Sequence, residues 1–85
     1  MGLLPKFLQR HNSSYALTDT GKNKHDKYEA ETGTELNVLV ALNDYQPCTL
    51  RELAKHTDME EHQVKSIVGD MVKRGWVEPR NRDEE

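Results

Sequence analysis

Residues suited to metal or covalent chemistry are few and scattered. His11, His25, His56 and His62 stand at no mutual spacing that suits a metal site, and Cys48 has no second thiol near it. No nucleophile has a base beside it, no glycine-rich phosphate loop occurs, and no acidic pair sits on an apolar scaffold. We therefore expect no catalytic residue, no metal and no cofactor. Cys48 follows Pro47 and reads as a small buried residue.

The remaining chemistry is hydrogen bonding and charge. Between Glu61 and Asp70 the spacing places Glu61, His62, Gln63, Lys65, Ser66, Gly69 and Asp70 on one polar face. Gln63 can bond adenine through two contacts, Ser66 can donate to a base or a phosphate, and Lys65 can meet guanine or phosphate. Arg51 and Lys55 lie one turn apart, where phosphates of a duplex could be held. An ordinary solvated surface accounts for the same residues. Glu60 and Glu61 favour that reading, because carboxylates repel phosphates, although they also suit the positive end of a helix.

These side chains need elements to position them. Val64, Ile67, Val68, Met71 and Val72 recur at helical spacing, the strongest periodic signal in the chain. Thr57 or Asp58 can cap that helix, Lys73 and Arg74 suit its last turn, and Gly75 stops it. Thr49-Leu50-Arg51-Glu52 is a capping box opening a shorter helix that ends near His56-Thr57. An earlier helix starts after Thr32 or Thr34, carries Leu36, Leu39 and Val40, and ends near Asn43 before the turn at Asp44 to Pro47. The expected core is Leu36, Leu39, Val40, Leu50, Leu53, Ala54, Val64, Ile67, Val68, Met71 and Trp76. Trp76 to Glu78 reads as extended, and so does the alternation around Tyr15 and Leu17. Thr20-Gly21 reads as a turn, and Lys22 to Lys27 as an exposed connection or weak helix.

Composition bounds the class. The chain has 85 residues, enough for one small domain with a thin core. Its net charge of −3 argues against a sequence-blind binder of polyanions. That charge is uneven: the first 28 residues carry five basic and two acidic groups, the rest seven and thirteen. A local basic face is still compatible with DNA. The lone cysteine makes the cytoplasm the default compartment, and no apolar run approaches the ~20 residues that span a bilayer.

The run from Thr49 to Glu78, with Thr-x-x-Glu-Leu-Ala, then Val-x-x-Met-Val and Gly-Trp-Val-Glu, resembles the winged helix-turn-helix of bacterial and archaeal transcriptional regulators such as the MarR type. The resemblance covers about residues 34–80. It implies a mainly α fold with a small β-hairpin (α+β), a three-helix winged helix-turn-helix. It also implies that the third helix enters the major groove of double-stranded DNA, and that the regulator is sequence-specific, not an enzyme, and a homodimer. Arg80 and Arg82 then stand where a wing tip meets DNA, with a frayed charged tail as the alternative.

One departure is informative. Such regulators send the strand after the third helix through a wing to a returning strand of the form Tyr-x-Leu-Thr-x-x-Gly. Here that pattern stands near the N-terminus, as Tyr15-Ala-Leu-Thr-Asp-Thr-Gly21. We expect Ser14 to Leu17 to pair with Trp76 to Glu78 and complete the wing, with a covering loop as the alternative. The implied organisation is an amphipathic segment over 1–12, a winged-helix domain over 13–80 and a charged tail over 81–85. Leu3, Leu4, Phe7 and Leu8 form an apolar stripe for a second copy, a partner or the domain's own core. A protein-protein interaction module on the same fold is the rival function, favoured by Glu60, Glu61 and Asp70 on the presented helix.

Overall fold

The computed structural model describes residues 14–80. In chain order it contains β1 (Ser14–Leu17), α1 (Asp19–Asp26), α2 (Gly33–Tyr45), β2 (Cys48–Thr49), α3 (Leu50–Thr57), α4 (Glu61–Arg74) and β3 (Val77–Arg80). The α+β class is as expected. The sheet is larger than a hairpin: three antiparallel strands lie in the order β2-β1-β3.

β1 pairs with β3 over its whole length, from Ser14 opposite Arg80 to Leu17 opposite Val77. The N-terminal strand therefore completes the wing. It also pairs with β2, Ser14 opposite Thr49 and Tyr15 opposite Cys48. Two residues are too few to show period-two alternation, so β2 leaves no signal in the sequence. Ala16, Leu17 and Val77 are buried, which joins the sheet to the helical core.

The segment after β1 is a helix and not a turn. Thr18 caps α1 by accepting from the Gly21 amide at 3.0 Å. Its hydroxyl also donates to the Gly75 carbonyl at 2.6 Å, and its amide to the Trp76 carbonyl at 3.0 Å. Gly21 is buried against that strand start, and a Cβ on it would overlap the Trp76 carbonyl oxygen. Gly21 thus serves close approach of two backbones. α1 has no apolar stripe, and these non-local contacts anchor it.

α2 is capped by Thr32, which accepts from the Glu35 amide at 3.1 Å, and runs two residues past Asn43 to Tyr45. Val38, Leu39, Ala41 and Leu42 are its fully buried side chains, with Leu36 and Val40 only half-buried. α1, α3, α4 and β1 all pack on α2, so its buried face is broader than one stripe. Leu53 of α3 and Val64, Val68 and Met71 of α4 close the core, and Cys48 is buried beside them. Val72 is an exception: it lies at the edge of the apolar series and is exposed.

The α3 capping box is formed in both directions, Glu52 amide to Thr49 hydroxyl at 3.1 Å and Thr49 amide to Glu52 carboxylate at 2.9 Å. The cap of α4 differs from expectation. Thr57 donates back to the Leu53 carbonyl at 2.7 Å, and Asp58 adopts the left-handed conformation that ends α3, φ +59°. Both are committed to terminating α3, so the cap falls to Glu60. Gly75, at φ +81°, ends α4 as expected.

Candidate nucleic-acid interface

α3 and α4 are joined by only Asp58 to Glu60, so α4 starts close to the end of α3 and its far side is presented to solvent. Stepping 100° per residue around α4 fixes what that side carries. Val64, Val68 and Met71 form the buried stripe. Lys73, Ser66 and His62 fall nearest the line opposite it, with Gly69 and Asp70 about 50° to either side. Lys65 and then Glu61 lie farther round on the Gly69 side. All seven residues are exposed.

Gln63 lies off this crest, toward α3. Its Oε1 accepts from the Glu60 amide at 3.2 Å, so part of its hydrogen-bonding capacity holds the start of α4. Gln63 lines a groove with Arg51 and Lys55, and also with Asp58, Glu60 and Glu61. The fold thus brings Arg51, Lys55 and Gln63 together and sets His62, Lys65 and Ser66 on the adjacent outer face. Arg80 is separate from both groups. It lies on β3 and is bonded to Glu78 of its own strand, at 2.9 and 3.1 Å. Leu3, Leu4, Phe7 and Leu8, and Arg82, lie outside the described residues.

Ion pairing sorts the cations. Arg74 contacts Glu35 at 3.3 Å and Glu31 at 3.4 Å, and its guanidinium lies 5.0 Å from the centre of the Trp76 ring. Lys24 stands 5.6 Å from the same ring and pairs with Glu29. Arg74 is therefore a clamp between the end of α4 and the start of α2, where Glu35 is itself buried. By contrast, no ion pair among the described residues engages Arg51, Lys55, Lys65 or Lys73. In the sequence Lys73 reads only as a dipole partner, yet its spacing of seven from Ser66 places it on this face. From Thr49 to Gly75 the chain holds five basic and five acidic side chains, so any anion must be met by position and not by bulk charge.

A second surface feature had no precedent in the sequence pattern. Tyr45 at the end of α2 and His56 on α3 stack in parallel, centroids 3.9 Å apart and planes 3° apart. Their neighbours are Pro47, Cys48 and Glu52. Among the described residues, no group of three histidine, cysteine or acidic side chains is placed to hold a metal ion. No described helix is long and apolar enough to cross a membrane.

Helices α2, α3 and α4, with a sheet whose β1/β3 ladder follows α4, define a winged helix-turn-helix protein. A sequence profile of the MarR family matches residues 32–85, well over half the chain, and the protein belongs to that family of winged-helix, DNA-binding transcriptional regulators. The match begins after β1 and α1, so the central strand of the sheet comes from outside it. No curated protein and no solved structure matches the chain.

Proposed function

We propose that this protein is a cytoplasmic, sequence-specific regulator of transcription that binds duplex DNA as a homodimer. α4 enters the major groove, with His62, Lys65 and Ser66 toward the base edges. Arg51 and Lys55 meet the phosphates beside Gln63, and Arg80 reaches the backbone once it releases Glu78. The observation that carries this reading is the sorting of cations: among the described residues the basic side chains of α3 and the α4 crest have no ion-pair partner, whereas Arg74 does. A single module of this size makes few contacts, and two copies are needed for typical specific affinity. The Leu3, Leu4, Phe7 and Leu8 stripe is the proposed contact between copies.

A second reading has its own support. Asp58, Glu60 and Glu61 line the groove shared with Arg51 and Lys55, which suits a protein partner carrying both charges better than a polyanion. The deciding measurement is a fluorescence-anisotropy titration of the whole chain with mixed-sequence duplex at low and moderate salt. Binding that weakens steeply with salt supports the DNA reading. No binding at high micromolar protein and low salt overturns it in favour of the protein-interaction module.

A further inference from the structure

Glycine in the interior of a helix is unfavourable relative to alanine, so its presence calls for a local reason. Gly21 has one in the Trp76 carbonyl, and Gly75 in its left-handed backbone. Gly69 has neither. It is the ninth of the fourteen residues of α4, its backbone is helical, and a Cβ built on it meets no atom of the described residues within 4 Å. The fold has room for a side chain and no use for its absence.

The reason must then lie outside the fold, and the position indicates where. Gly69 sits on the exposed side of α4, turned away from Val64 and Met71, with Lys65 four residues before it and Lys73 four after. Both lysines are exposed and, among the described residues, without an ion pair. With Ser66 alongside, the crest is a notch of bare backbone between two long cations. A body that approaches α4 head-on, with anionic groups to either side of a narrow contact, fits that relief. A duplex groove has this form, with phosphates on its walls and base edges on its floor.

We propose that Gly69 is the point of closest approach between α4 and DNA, and that it sets the depth to which the helix enters the groove. This rests on the DNA-binding reading above. The test compares the full-length chain with Gly69→Ala and Gly69→Leu, by thermal melting and by anisotropy titration on duplex DNA over a range of salt. Gly69→Ala is expected to melt above the parent, since the methyl enters open space. It is expected to bind about tenfold more weakly or worse, the scale of one lost specific contact, and Gly69→Leu more weakly still. The salt slope should stay unchanged, because no charge is altered. Parent-like affinity of Gly69→Ala, with the parent binding DNA, overturns this inference alone. A lowered melting temperature overturns it too, since the fold would then require the glycine. Failure of the parent to bind overturns both this inference and the reading it rests on.

Discussion

A methyl group on Gly21 would overlap the Trp76 carbonyl oxygen and lie 2.9 Å from its carbon. Both neighbours are backbone and cannot swing aside, so α1 must lift off the start of β3. Gly21→Ala is expected to destabilise the protein by about 1–3 kcal/mol or more, the range for overpacking, measured by urea denaturation. Arg74 shows the same dependence on distant partners. From sequence it read as a dipole partner in the last turn of α4. Its acidic partners are 39 and 43 residues away, and no local pattern encodes them. Gln63 is similar: its residue type suits base recognition, but its side chain also caps α4, which only the position of Glu60 decides. Single residues on the exposed crest were legible because periodicity alone places them, whereas their commitments to other side chains were not.

At the scale of elements, the capping box shows what local chemistry can specify. Thr49 and Glu52 meet in both directions, as their spacing requires. Thr49→Ala is expected to cost about 1 kcal/mol in chemical denaturation, the usual worth of such a cap. It should also reduce DNA binding by loosening Arg51, one turn-step inside the cap, with the parent protein at matched folded fraction as reference. α4 was equally legible, since five apolar residues recur on one face. α1 was legible only as the weak-helix alternative for Lys22 to Lys27; its start at Asp19 was not, because its anchors are the carbonyls of Gly75 and Trp76, more than fifty residues on. β2 was missed because it is two residues long. The pairing of β1 with β3 was legible only through the misplaced Tyr15-to-Gly21 pattern.

For the whole molecule, affinity must come from few cations placed well. The net charge is −3, and the α3–α4 unit is balanced, so long-range attraction to DNA is weak. The proposed phosphate contacts of Arg51 and Lys55 therefore make a distinct prediction. Replacing both with alanine should lower the magnitude of the slope of log affinity against log salt by about 2, near 0.9 for each phosphate released. An unchanged slope would remove these residues from the interface. Replacing Arg74 with alanine should instead lower stability, because it leaves the buried Glu35 carboxylate without its guanidinium.

The central strand of the sheet has a consequence for how the chain is made. β1 leaves the ribosome before both of its neighbours, and β3 is synthesised only after all four described helices. Its partners lie as far as 66 positions along the chain, so the sheet closes through a loop almost as long as the described domain. Such long-range closure slows folding relative to local pairing. The helices can form as they emerge, but the wing waits for Arg80. The nascent protein therefore holds the β3-facing edge of β1 unpaired until Arg80 emerges, and the wing is completed after the α3–α4 surface proposed to read DNA.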